Sequence, residues 1–364
     1  MEFLNRDLHW SQVFFILIGR EKQAVNVELL MLGDQPVAQL VERARLAEAC
    51  GFDAVWIADE RFYREAYSVL AQVASATDRI RLGPCVTDPF ARHPALTAMA
   101  IATLDEICAG RSALGLGAGV SGFAELGIRP HRPPRAIREA ISLIRALLRG
   151  EQVDFTGEVI SFRDGRLSFA PLRPEIPICV ASNGPLGQRV AGSVADGAIM
   201  EACGSVPEAV AFRAEVERDE ASAGRKPHTV LIVARLNACI ASDGGRARDV
   251  VRPSVARYLG RGSLRLATAA MQGLILPPEV TAPMANAPYA EGVKPYLPLL
   301  PLISDRHVDA LTLVGTSQEV AAHVARLFEA GIDAIIVRPI AGNGVSAEDT
   351  IAAFGTIWST ITHA

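Results

Sequence analysis

The sequence predicts an α/β fold built on a parallel sheet, and three observations carry that prediction. Short β-branched runs alternate with longer amphipathic stretches from residue 24 onward. The short runs are apolar almost throughout, as expected of strands buried on both faces. A helix–glycine–aspartate–strand unit occurs twice, as RLAEACGFDAVWIAD at Arg45–Asp59 and RLFEAGIDAIIVRP at Arg326–Pro339. Strands separated by helices imply parallel pairing through right-handed crossovers. Two layouts satisfy this, an open doubly wound sheet and a closed (β/α)8 barrel of the TIM type. The echo near both ends suits a repeated βα architecture that closes on itself. A chain of 364 residues, half of them hydrophobic, is long enough to bury one large barrel core.

The elements follow in order. Val25–Leu32 reads as the first strand. Pro36–Cys50 reads as helix, because Val37, Leu40, Val41, Ala44 and Ala47 recur at a helical period, Pro36 suits a first turn and Gly51 ends it. Ala54–Ala58 is a short buried strand, Tyr67–Ser75 helix, Ile80–Val86 strand, Ala95–Ile107 helix, Ser112–Leu116 strand and Ala136–Leu148 helix. Pro177–Ala181, Ala198–Met200, Val230–Ala238 and Ala334–Arg338 read as strands. Between them fall helices Leu186–Ala195, Pro207–Ala223 and Ser317–Ala330. Residues 151–176 break the pattern with strand-like alternation around Asp164–Gly165, a hairpin signal, and are expected to cross the barrel mouth. Residues 260–310 carry seven prolines, which forbids long regular helix and suggests either a lid or a surface loop. Residues 1–22 are expected to form an arm outside a barrel spanning 23–364.

Composition removes several function classes. The net charge of −4 is spread along the chain, with no basic footprint for nucleic acid. The apolar run Val13–Ile18 is too short to span a bilayer and lacks the flanks of a signal peptide. The six cysteines are isolated from one another, which fits reduced core residues in a cytoplasmic protein. No metal-ligand spacing, GxSxG elbow or P-loop occurs, and His93 and His131 lie in proline-containing loops.

Active sites of parallel barrels sit at the C-terminal strand ends. Those ends fall near Glu28–Leu32, at Asp59-Glu60, at Cys85-Val86-Thr87-Asp88, at Gly117-Ala118-Gly119, at Ser182-Asn183-Gly184-Pro185, and near Glu201, Asn237 and Arg338. Glu28 lies inside the apolar run VNVELLML, where a carboxylate is costly unless satisfied. It is either a proton-handling group with a raised pKa or a barrel-filling residue paired with a base such as Arg338. Gly117–Gly122 matches GxGxxG, but the following FAELGIRPHRPP prevents the immediate helix that a dinucleotide fold requires. The glycines are expected to let a flat ring approach the backbone. Ser182-Asn183-Gly184-Pro185 follows a strand and opens a helix, whose free N–H groups and dipole suit a phosphate; the plain alternative is an N-cap turn.

These residues also carry a family resemblance. The run RLGPCVTDPFARHPALTAMAIATLDEICAGRSALGLGAG (Arg81–Gly119) resembles the core of the luciferase-like superfamily, and within it the methylenetetrahydromethanopterin reductase group. The likeness extends through Gly51–Asp59, Glu125–Ile141, Ala181–Met200 and Val314–Val337. It implies a (β/α)8 barrel, usually dimeric, with coenzyme F-420 or FMN at the C-terminal strand ends. In the deazaflavin branch it implies a non-prolyl cis peptide behind the ring, which here matches Cys85–Val86. Thr87 and Asp88 match the segment beside the ring, Gly117–Gly119 and Gly184–Pro185 match positions around ring and tail, and Glu28 matches an acid near the hydride-transfer centre.

Three departures stand out. Val120 replaces an aspartate after the glycines, Asp59-Glu60 replaces Asp-His, and residues 260–310 have no clear counterpart. They predict a different small-molecule substrate, with Glu28, Asp59 or Glu60 handling the proton. The favoured function is F-420-dependent hydride transfer. The alternatives are an FMN-dependent monooxygenase, a cofactor-binding paralogue without turnover, and an NAD-binding doubly wound dehydrogenase.

Overall fold

The computed structural model describes residues 25–261 and 272–363; the expected arm over residues 1–22 lies outside them. The strands in chain order are β1 (Asn26–Met31), β2 (Ala54–Ile57), β3 (Arg81–Pro84), β4 (Leu114–Gly117), β5 (Val153–Thr156), β6 (Ser161–Gly165), β7 (Ile178–Ala181), β8 (Gly197–Glu201), β9 (Leu231–Ile240), β10 (Thr312–Gly315) and β11 (Ala334–Pro339). The strands expected from the sequence pair in parallel in the order β3-β2-β1-β11-β9-β8-β7-β4. Two parallel bridges, Leu82–Ser112 and Thr87–Leu116, join β3 to β4. The sheet therefore closes into an eight-stranded barrel, and the open doubly wound layout is excluded. Glycine makes the closure possible, since a Cβ on Gly83 would lie 1.8 Å from the Ala113 carbonyl oxygen.

Alternation along each strand builds two cores. Leu30, Trp56, Cys85, Ile199, Val233 and Ile336 point inward and fill the barrel. Leu29, Ile57, Leu82, Val180, Ile335 and Val337 point outward against the helices. Each fully buried aliphatic side chain contributes roughly 1.5–3 kcal/mol.

The surrounding helices are α1 (Val37–Ala49), α2 (Ala66–Ala76), α3 (Pro94–Ile107), α4 (Pro133–Leu148), α5 (Pro185–Val194), α6 (Val206–Ser222), α7 (Gly244–Gly260), the single turn α8 (Pro278–Thr281), α9 (Asp305–Leu311), α10 (Ser317–Glu329) and α11 (Ala347–His363). Their starts carry the expected signals. Proline opens α3, α4 and α5, and a Thr316–Glu319 capping box opens α10. The repeated sequence unit has a physical meaning. The aspartate at its turn accepts the N–H of a residue on the neighbouring strand, Asp53 from Val27 at 2.8 Å and Asp333 from Ile232 at 2.8 Å. Asp196 does the same for Ile178 at 2.8 Å, so the device recurs around the barrel.

Three regions differ from expectation. The hairpin over 151–176 turns at Gly157–Ile160 rather than at Asp164–Gly165. The reason is Glu139 of α4, whose carboxylate accepts the N–H groups of Glu158, Val159 and Ile160 and pins the turn. The hairpin lies against α4 and the start of α3, where His93 bonds the Ser161 carbonyl, and not across the mouth. Helices α7, α9 and α11 and strand β10 were not expected. Pro253 inside α7 and the four-residue length of β10 hide their periodicity. The proline-rich segment, where described, folds into short turns packed on α7 through Tyr296 and Leu299.

Candidate active site at the C-terminal rim

The strand order divides the barrel mouth into two unlike walls. One is formed by the ends of β3, β4 and β7, the other by β2, β8, β9 and β11.

The first wall is backbone and small side chains. The Cys85–Val86 peptide bond after β3 is cis. Beyond it, Thr87 is fully buried and donates to Asp59 Oδ2 at 2.7 Å. Asp88 accepts the N–H groups of Phe90 and Ala91 at 2.9 and 2.7 Å and pairs with Arg61. Burial pushes the Asp88 pKa up against the pull of Ala91 N–H and Arg61. Arg61 also reaches Asp59 at 3.2 Å, and Arg92 approaches it at 3.8 Å. Asp59 is thus a fully engaged brace beneath the rim. The glycines after β4 have a different reason from the one expected. A Cβ on Gly117 would lie 2.7 Å from Val86 Cγ2, one on Gly119 2.8 Å from Asp88, and one on Gly122 2.4 Å from Arg61. They admit the chain's own loops after β2 and β3, so the space they free is already filled by protein; Ala118 between them packs against the outer core.

At the end of β7 the N-cap of α5 is Gly184, in an extended conformation with no side-chain cap. The first-turn N–H groups therefore face outward without an intrahelical acceptor. Ser182 is tied to Gly184, whose N–H it accepts at 3.2 Å, and Pro185 starts the helix. Asn183 turns away, accepting the Glu201 N–H at 3.0 Å and donating to Tyr258 at 3.4 Å. It is a brace between β8 and α7. Ser182, Gly184 and Pro185 form an uncapped helix start able to hold a phosphate.

The second wall is charged. Glu60 follows β2, and its Oε1 accepts from the Tyr289 hydroxyl at 2.6 Å while its buried Oε2 has no partner. Tyr289 comes from the proline-rich segment, and the guanidinium groups of Arg257 and Arg261 lie 4.7 and 5.1 Å from its ring centroid. Burial and the Glu60 carboxylate raise the Tyr289 pKa to about 12. The inward series of β8, β9 and β11 end in Glu201, Arg235, Asn237 and Arg338. Arg235 pairs with Glu201. Burial and the nearby Arg235 lower the Arg338 pKa to about 10, which leaves it charged at neutral pH.

Glu28 is not among these rim groups. It lies one inward layer below Leu30, in register with Ala54 of β2, which in turn pairs with Arg81, the first residue of β3. Its carboxylate accepts from Trp56 Nε1 at 2.7 Å and pairs with Arg81 at 3.1 Å. Its basic partner is therefore Arg81 and not Arg338. Burial raises its pKa against the opposing pull of Arg81 and Trp56.

The sequence profile of the luciferase-like monooxygenase family matches residues 14–334. The chain belongs to this family. Among relatives of this luciferase-like protein, a 5,10-methylenetetrahydromethanopterin reductase of Methanolobus tindarius is 32% identical over 310 residues, covering 85% of this chain and 92% of the relative. An F420-dependent glucose-6-phosphate dehydrogenase of Beutenbergia cavernae is 40% identical over 167 residues, 42% of this chain and 49% of the relative. The solved structure of the coenzyme F420 dependent tetrahydromethanopterin reductase of Methanopyrus kandleri superposes with a TM-score of 0.80 at 25% identity, covering 91% of this chain and 97% of that one. The family resemblance and the barrel expected from sequence are both shown. Sequence reasoning gave no role to Arg61, Tyr289 or Asn237 of this luciferase-like chain, and named Arg338 only as a possible partner of Glu28. Asn237 and Arg338 stood at expected strand ends, whereas nothing in the sequence tied Tyr289 to Glu60. No helix among the described residues is long and apolar enough to cross a membrane.

Proposed function

We propose that the chain is a coenzyme F420-dependent oxidoreductase that moves a hydride to or from a small organic substrate in the barrel mouth. The observation that carries this reading is its near end-to-end similarity to methylenetetrahydromethanopterin reductases, 85% of this chain against 92% of one of them. The rim fits such a cofactor, because the uncapped start of α5 offers N–H groups to a phosphate and the β3 loop, seated on the β4 glycines, offers a firm backing to a flat ring. When bound, the deazaflavin supplies a two-electron hydride donor or acceptor. Ser182, Gly184 and Pro185 hold the tail, and Cys85–Asp88 with Gly117–Gly119 shape the wall beside the ring. Glu60 gives or takes the proton that balances the hydride, because its Oε2 alone among the rim carboxylates is buried and unengaged. Tyr289 and its segment cover that carboxylate and keep water from it. Asp59 positions Thr87 and Arg61 and does not itself exchange the proton.

Incubation with F420 and with FMN, followed by gel filtration and absorbance and fluorescence spectra, tests the reading. Retention of F420 is expected. Retention of FMN alone, with oxygen consumption on reduction, replaces it with a monooxygenase. The same reading makes the protein a cytoplasmic homodimer, supported by the exposed apolar Leu96, Met99 and Ile107 along α3. Sedimentation at the monomer mass removes that part.

A further inference from the structure

Ala334 and Ile336 point into the barrel, as do Leu231 and Val233. Period-two alternation carries the same face upward to Arg338 on β11 and Asn237 on β9. These two residues are partners in the parallel register, so they stand side by side on the wall, about 5 Å apart. Among the described residues neither side chain makes a hydrogen bond or an ion pair, and the buried Asn237 Oδ1 has no partner. The nearby carboxylates attract Arg338 without bonding to it, Glu201 being paired with Arg235 and Glu60 hydrogen-bonded to Tyr289. A buried guanidinium without a hydrogen-bond acceptor and an unpaired buried amide oxygen are both costly, by roughly 1–3 kcal/mol for the amide alone. Two adjacent ones on the same wall mark a place where a ligand completes the bonding.

We infer that Arg338 and Asn237 form an oxyanion subsite, and that the substrate carries a carboxylate or phosphate group. The word "substrate" rests on the function proposed above; the binding of an anion does not. The guanidinium fork and the amide N–H match the oxygens of a planar carboxylate or a phosphate. The free Asn237 Oδ1 accepts a neighbouring hydroxyl of the same ligand. The anion is not the phosphate held at the start of α5, because β7 and β11 are separated by β8 and β9 around the ring. Glu60, with its free oxygen, borders the same mouth, so the group that exchanges a proton and the anion that fixes orientation belong to one molecule.

Calorimetric titration of the purified protein with inorganic phosphate and, separately, with malonate tests this without turnover. Saturable binding of at least one anion is expected, which also separates phosphate from carboxylate. Arg338→Met should weaken it about tenfold to a hundredfold, and Arg338→Lys less. Asn237→Ala, which keeps the charge, should weaken it several-fold and supplies a variant independent of any folding defect in the first. F420 retention should be unchanged in all three. No saturable binding by the parent, or unchanged anion affinity in Arg338→Met or Asn237→Ala, overturns the subsite. Loss of F420 retention in Arg338→Met also overturns it, by making Arg338 a cofactor ligand. Failure of the parent to bind F420 removes the proposed function and leaves the anion result standing on its own.

Discussion

The two walls of the barrel mouth solve opposite problems. On the β3–β4 side the side chains are spoken for, with Thr87 on Asp59, Asp88 on two N–H groups and Arg61, and Gly117 and Gly119 filled by neighbours. The backbone N–H groups at the start of α5, beyond β7, stay open. On the β2–β9–β11 side three polar groups wait, Glu60 Oε2, Asn237 Oδ1 and the Arg338 guanidinium. A finished wall suits a cofactor, whose shape is fixed and whose ring needs a firm backing. An unfinished wall suits a substrate, because the missing bonds are the ones it must supply. Neutral changes should therefore cost stability on the first wall and function on the second.

The largest effect should come from Glu60→Gln. Removing a proton-handling carboxylate should lower kcat by about a hundredfold to ten-thousandfold. Tyr289→Phe cuts the same hydrogen bond but keeps the carboxylate, so its loss should be much smaller. Equal losses in steady-state assays would make Glu60 a latch for the lid and break the functional half of the contrast. Next comes Gly184→Glu, which sets a negative charge at the uncapped helix start. F420 affinity should fall by at least about a hundredfold with circular dichroism unchanged. Undiminished retention would take the phosphate away from α5.

How much of this was legible in the sequence follows the same division. The barrel strands were readable because parallel strands are apolar runs between helices, and the Asp53 and Asp333 turns left a visible echo. Ser182–Pro185 was readable because a cap is local chemistry. Glu28 drew attention as a carboxylate in an apolar run, yet sequence cannot say at which height of a barrel a residue sits. Its partners Trp56 and Arg81 come from two other strands. The charged wall was not legible for the same reason. The Tyr289–Glu60 bond spans 229 residues, and the Arg338–Asn237 pairing exists only once β11 lies beside β9. The glycines after β4 were noticed for their spacing, but what fills them is two loops far earlier in the chain, those after β2 and β3.

A stability comparison sharpens the contrast further. Gly117→Ala places a methyl group 2.7 Å from Val86 Cγ2 on the finished wall. It should cost about 1–3 kcal/mol in denaturant unfolding. Arg338→Met on the other wall removes a buried charge that makes no hydrogen bond and should cost less or stabilise. A larger loss for Arg338→Met would mean that its wall is completed within the chain after all.

The smallest effect should come from Glu28→Gln, and it tests the floor beneath both walls. Glutamine keeps an acceptor for Trp56 Nε1 while removing a carboxylate whose pKa burial raises. For a group whose folded pKa is raised, the linked stability is present in acid and is lost as pH rises through the folded value. The variant lacks that loss. Its melting temperature relative to the parent should therefore climb as pH rises above the ordinary carboxylate range, offset in part by the weakened contact with Arg81. F420 retention and kcat should stay close to those of the parent, because Leu30 and Trp56 separate Glu28 from the rim. A kcat loss comparable to that of Glu60→Gln would return Glu28 to the chemistry and show that the reacting centre lies one layer deeper in the barrel than the rim groups indicate.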